Sequence, residues 1–126
     1  MRLVWYSNRW WVSKPRQPIL CLQLLAFRRG YRVCEISEEL GCTERRLHGT
    51  FMRDLGIAPL QWMKLERMVA ARRMLAAGLE IEDISERLGF TNKHNFRREF
   101  KKHHNVLPST YQEHRRNPTR PGPVDG

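Results

Sequence analysis

Apolar residues recur at helical spacing along most of the chain. Ile36 and Leu40 stand four apart, as do Leu47 and Phe51, Ile84 and Leu88, and Phe96 and Phe100. Each pair puts one apolar stripe on a helix. Runs of strict apolar–polar alternation are absent, which argues against strands. Glycines, prolines and capping residues divide the pattern. Pro18 fits a first helical turn, and Ile19 to Arg29 follows, closed by Gly30. Val33 to Leu40 forms a second helix, with Gly41 as its left-handed terminator. Thr43 caps a third helix through about Leu55, and Gly56 ends it. Pro59 opens a long fourth helix to Ala77, with Trp62, Leu65, Met68, Val69 and Leu75 as a broad apolar stripe. Ile81 to Leu88 forms a fifth. Thr91 or Asn92 caps a sixth through His104, and Pro108 opens a seventh through Arg116. The pattern predicts an all-α fold of about seven helices.

The chain also nearly repeats itself. Glu35 to Thr43 aligns with Asp83 to Thr91 at an offset of 48, and from Leu47 with Phe96 the offset is 49. A single inserted residue just after the cap accounts for the slip. Phe51 then pairs with Phe100, Pro59 with Pro108 and Trp62 with Tyr111. Two copies are too few for a solenoid, which needs at least three. Each copy has helix-turn-helix form: a short helix ending at glycine, a turn, then a capped helix. The long fourth helix links the two. Its 19 residues span about 28 Å at 1.5 Å each. Successive major-groove faces of B-DNA are about 34 Å apart, so one monomer is expected to reach two adjacent segments.

The second helix of the second copy carries a basic stripe. At about 100° per residue, His94, Arg97, Arg98 and Lys101 fall within about 100° of one another, beside the Phe96–Phe100 stripe. Arg and Lys on a helix in the major groove reach guanine O6 and N7. Asn92 and Lys93 stand at the N-terminal tip, where recognition helices touch base edges. The competing reading is a solvated basic face. In the first copy the corresponding positions are Arg45, His48, Gly49 and Met52, with Thr43 and Arg46 beside them. Gly49 costs about 1 kcal/mol relative to Ala inside a helix. It marks either a close approach to DNA or a weakened reader, and the second is favoured.

Charge supports a polyanionic partner. The formal net charge is +10 over 126 residues, and it is segregated. Residues 1–32 carry +7 with no acidic side chain, residues 33–90 carry −2, and residues 91–126 carry +5. A basic chain with segregated charge fits nucleic acid. The length suits one domain or two very small ones. No run approaches the roughly 18 apolar residues of a membrane span. Cys21, Cys34 and Cys42 form neither a disulfide framework nor a C-x-x-C pair, and a core role suits all three. A reduced, cytoplasmic protein is expected. Residues 1–17 form a basic aromatic segment (Trp5, Tyr6, Trp10, Trp11) without a signal-peptide pattern, and packing on the domain is preferred for it. Residues 18–116 form the helical domain, and the proline-rich tail 117–126 is expected to be disordered.

The span from Pro18 to Arg116 resembles the DNA-binding domain of the AraC/XylS family of bacterial transcription regulators. The residues that carry the likeness are Ile36-Ser37-Glu38-Glu39-Leu40-Gly41, Leu47, Phe51, Gly56, Pro59, Arg67 with Ala71, and Leu75. The most specific part is Ile84-Ser85-Glu86-Arg87-Leu88-Gly89-Phe90, then Phe96, Phe100-Lys101-Lys102, and Pro108 with Tyr111. The resemblance implies two helix-turn-helix units joined by a helix, double-stranded promoter DNA as partner, and RNA polymerase as a further one. It implies base readers at Arg45, His48 and Gly49, and at Lys93, His94, Arg97 and Arg98. Departures are Gly49 at a reader position and Gln112 where the family commonly has Arg after the final Tyr. Asn105 replaces the usual Gly before the last helix, and Ala58 and Leu107 stand where Ser or Thr caps are usual. Residues 1–17 are too few for an effector-binding domain, so a stand-alone, truncated or accessory regulator is expected.

No cofactor, metal or enzymatic activity is expected. His103, His104 and His114 lack a metal-ligand spacing and suit a solvated or phosphate-contacting role. Gly-rich phosphate loops and nucleophile motifs are absent. Two other classes compete: a nonspecific nucleoid-type DNA-coating protein, and a helical protein-interaction module that has lost DNA binding.

Overall fold

The computed structural model describes residues 1–116. Its elements are β1 (Arg2–Tyr6), β2 (Arg9–Ser13), β3 (Leu20–Cys21), α1 (Leu22–Arg28), α2 (Val33–Glu39), α3 (Glu44–Asp54), α4 (Pro59–Ala76), α5 (Ile81–Arg87), α6 (Lys93–His104) and α7 (Pro108–Arg116). The tail read as disordered lies outside the described residues. The chain divides within α4 into two compact units, residues 1–66 and residues 67 onward.

Helices α2 to α7 stand where periodicity, caps and glycines place them, and the architecture is helical as predicted. One element overturns the expectation that strands are absent. β1, β2 and β3 form a small antiparallel sheet in that order. Ser7 and Asn8 make a two-residue turn with φ of 52° and 62°. Such left-handed pairs match the twist of the strands they connect. Leu3 and Val12 face each other in register and are both buried. The Trp5 and Trp10 rings meet edge to face at 5.3 Å on the next pair along the same face of the hairpin, with Trp5 exposed. β3 pairs with β2, so the first helix starts at Leu22 rather than at Ile19. Pro18 lies in the loop before β3 and not in a helical turn.

In the first unit, Leu22, Leu25, Ile36, Leu40, Leu47 and Phe51 form a fully buried core. Phe51 packs edge to face on Trp62, with centroids 5.8 Å apart. The sheet is tied to the end of α3. Leu3 N–H donates to the Asp54 carboxylate at 2.9 Å, and Arg53 donates to it at 2.8 Å. These donors, Arg53 foremost, hold the Asp54 carboxyl at a pKa of about 2. Arg53 also donates to the Met1 carbonyl at 2.7 Å. On α2, Glu39 accepts from Arg28, the last residue of α1, and from Arg29, which caps it, and Arg29 foremost lowers its pKa.

In the second unit, Met68, Leu75, Ile84, Leu88, Phe96 and Phe100 are buried. Phe96 and Phe100 meet at 5.9 Å, and Phe100 meets Tyr111 of α7 at 5.9 Å. The buried Gln112 side chain donates to the Leu79 carbonyl at 2.9 Å and to the Leu75 carbonyl at 3.5 Å. Its amide thus serves the Leu79 carbonyl in the loop after α4 and shares the Leu75 carbonyl with the Gly78 N–H. Asn105 ends α6 in the left-handed conformation, φ 64°, as its replacement of Gly requires.

Three smaller expectations fail. The predicted α4 stripe includes Leu65, which is exposed, and omits Met63, which is buried. Trp62 and Met63 belong to the first unit, whereas Met68, Ala71 and Leu75 belong to the second. A helix shared by two cores has no single apolar face. Cys34 is exposed rather than core, while Cys21 and Cys42 are half-buried. His104 and His114 are half-buried, and His104 packs on Phe100 at 4.4 Å; only His103 of the three is exposed.

Candidate nucleic-acid interface

Both units build the same turn from the same backbone bonds. After α2, Gly41 has φ 67° and Cys42 N–H donates to the Ser37 carbonyl at 3.0 Å. After α5, Gly89 has φ 77° and Phe90 N–H donates to the Ser85 carbonyl at 3.0 Å. This closure satisfies carbonyls at the helix end and needs a residue that tolerates positive φ. A cation covers the carbonyl of the residue that caps the helix in each case. Lys14 Nζ donates to the Leu40 carbonyl, and Arg67 Nε donates to the Leu88 carbonyl at 3.0 Å. The Arg67 guanidinium also lies 4.1 Å from the centroid of the Phe90 ring.

The following helices are capped alike. Thr43 Oγ1 accepts from Arg46 N–H at 3.1 Å, and Asn92 Oδ1 accepts from Asn95 N–H at 2.9 Å. The cap of α6 is therefore Asn92, and Thr91 lies in the turn. The inserted residue precedes the cap instead of following it. The turn of the second unit is one residue longer, and the two caps differ by 49 positions.

On α3, Leu47, Thr50 and Phe51 are buried, which leaves Arg45, His48 and Gly49 on the outer face with Thr43 at the tip. Arg46 is exposed, but at about 100° per residue it falls on the side of Thr50, away from His48. A Cβ built on Gly49 meets nothing within 4 Å, so packing within the protein does not require glycine there. Met52 is exposed on this face.

On α6, Phe96 and Phe100 are buried. Lys93, His94, Arg98 and Lys101 are exposed, and Arg97 is half-buried beside the aromatic stripe. Arg98 donates to Asn95 Oδ1 at 2.8 Å. Lys93 Nζ donates to Glu82 Oε1 at 3.1 Å. The Glu82 carboxyl is held below the usual range, first by its own backbone N–H and then by Lys93. Glu82 does not stand out in the sequence, because an acidic residue in a first helical turn already has a reason to be there. Only the fold brings it to Lys93.

Among the described residues, no group of three or more His, Cys, Asp or Glu side chains could hold a metal ion. No helix among them is long and apolar enough to cross a membrane.

Residues 36–114 match a family model described as a helix-turn-helix domain. The chain is 30% identical over 83 residues to the HTH-type transcriptional regulator YtdP of Bacillus subtilis, a span covering 65% of this chain and 11% of that protein. It spans between about a tenth and a third of the length of the curated relatives it matches. An AraC-type transcriptional regulator from Chromobacterium violaceum superposes with a TM-score of 0.59 at 25% identity, over 69% of this chain and 79% of that one. The DNA-binding domain of AdpA, solved with a target DNA, shares the fold with a TM-score of 0.64 at 22% identity, over 77% of this chain and 93% of that one. Two matching helix-turn-helix turns, two capped outer helices and the family match over 36–114 lead to one conclusion: the chain belongs to the AraC/XylS family of helix-turn-helix transcription regulators.

Proposed function

We propose that the chain is a sequence-specific regulator of transcription that reads two adjacent major-groove segments of double-stranded DNA with α3 and α6. The observation that carries this reading is the outer face of α6. There His94, Arg97, Arg98 and Lys101 stand over a fully buried Phe96–Phe100 stripe, at the spacing a major groove accepts. Regulators of transcription among the relatives, and a similarly folded domain solved with target DNA, support it.

The second unit supplies most of the affinity. Its reading face offers four cationic or imidazole side chains, whereas α3 offers Arg45 and His48 beside Gly49 and Met52. Both reading helices lie on one chain, so a monomer binds. RNA polymerase is the further partner that promoter binding implies.

Selection from a random duplex library at near-physiological salt tests the reading, with Arg97→Ala as control. A specific regulator prefers its site over bulk DNA by about a thousandfold or more. An enriched motif with two elements about one helical turn apart supports both readers. Uniform binding of all duplexes with a steep salt slope would instead indicate a DNA-coating protein. Binding to no duplex would indicate an interaction module.

A further inference from the structure

Glu82 lies in the first turn of α5, on the helix that does not enter the groove. Its carboxylate accepts from Lys93, the first residue of α6. The charge of Arg97, about one turn further along α6, also acts on it. Glu82, Thr91, Asn92 and Lys93 border one open recess at the tip of the reading helix. The side chains of Lys93 and Glu82 are 51% and 63% exposed, so their pairing adds little to stability. A carboxylate between two cations on a surface that meets a polyanion weakens binding to any duplex. Its place in a first helical turn accounts for a carboxylate there but not for the pairing with Lys93. The first unit has no counterpart, because Cys34 and Glu44 occupy the equivalent positions.

We propose that Glu82 is a specificity-determining positioning residue: it holds the Lys93 ammonium at the tip of α6 and penalises duplexes that offer Lys93 no base acceptor. This rests on the reading of α6 as a DNA reader. A lysine ammonium has three donors, and one is given to Glu82. The other two are then directed and can meet acceptors such as guanine O6 and N7. At a pair without such acceptors, Lys93 gains nothing beyond attraction to phosphate, while the carboxylate repels the backbone. Discrimination is the difference between these two states: the repulsion is common to both, and the pairing with Glu82 enlarges the difference by holding the ammonium where a base acceptor rewards it.

The test is duplex selection and titration with the full chain, comparing the parent with Glu82→Gln, Lys93→Ala and the double variant. Glu82→Gln should raise affinity for random duplex by about two- to fivefold at low salt. It should lower the preference at one base-pair position by about fivefold or more and leave other positions alone. Lys93→Ala should remove the preference at that same position, and the double variant should show the same base preferences as Lys93→Ala. The unfolding midpoint of Glu82→Gln should stay close to that of the parent, lowered only by the loss of one first-turn carboxylate. Three results would overturn the proposal: an unchanged preference, an equal loss at every position, or a loss at a position that Lys93→Ala leaves intact. A parent protein with no preferred site overturns the reading of α6 itself, and the role of Glu82 with it.

Discussion

Arg67 donates to the Leu88 carbonyl at 3.0 Å, where α5 ends and the turn toward α6 begins. The same guanidinium reaches the Gly89 carbonyl at 3.5 Å and lies over the Phe90 ring. One side chain thus fixes the glycine turn that sets the direction of the reading helix. In the first unit Lys14 takes this position at Leu40, and it comes from the loop after β2 instead of from α4.

Removing these cations should be costly to different degrees. Arg67→Met should destabilise the second unit by about 2–3 kcal/mol, through a charge-assisted bond and a cation–π contact. Lys14→Met, with one bond and no ring, should cost about 1–2 kcal/mol in the first unit. Denaturant unfolding measures both. Equal losses would show that the Phe90 contact contributes nothing.

Asp54 links acid stability to the sheet. Its carboxyl titrates at about 2 in the folded chain, against an ordinary 3.8. A depressed carboxyl stabilises the fold fully above the ordinary value, and that stabilisation is lost as pH falls toward the folded value. Asp54→Asn should therefore flatten the fall in stability of the first unit between about pH 4 and pH 2. The Leu3 amide resonance should move with a midpoint near 2. A midpoint near 3.8 would remove the link.

Gly49→Ala should stabilise the first unit by about 0.5–1 kcal/mol. The new methyl meets open space. If α3 is the weaker reader, the affinity for the selected site should stay within about twofold of the parent, well under 1 kcal/mol. A large loss of affinity would show that DNA approaches the Gly49 backbone closely.

Arg97→Ala should weaken binding to the selected site by about 1–3 kcal/mol and relax one position. Arg45→Ala should cost less. Equal losses would place the two units on a par. Because Arg97 is half-buried, an unfolding curve must accompany the binding measurement.

The helices were legible because each boundary carries its own chemistry. Gly41 and Gly89 tolerate positive φ, Thr43 and Asn92 cap, and Phe96 with Phe100 define a stripe. The sheet was not legible because only Leu3 and Val12 of the hairpin are buried, while Val4, Trp5 and Tyr6 remain exposed. Aromatic side chains on both faces hide the alternation that marks a strand. The Ser7-Asn8 pair between two apolar runs was the available signal for a hairpin. The cationic face of α6 follows from helical spacing alone. Glu82 does not, since its role depends on a neighbour eleven residues away across a turn.

The edge-to-face pairing of Trp5 with Trp10 has a spectroscopic consequence. Those two, with Trp11 and Trp62, are all four tryptophans of the chain, and every one lies in the first unit. Indole fluorescence therefore monitors the first unit without a label, and the second unit is dark at the same wavelengths. Following emission beside far-ultraviolet dichroism during one denaturation would separate the melting of the two halves. It would also show whether the half bearing Gly49 gives way first.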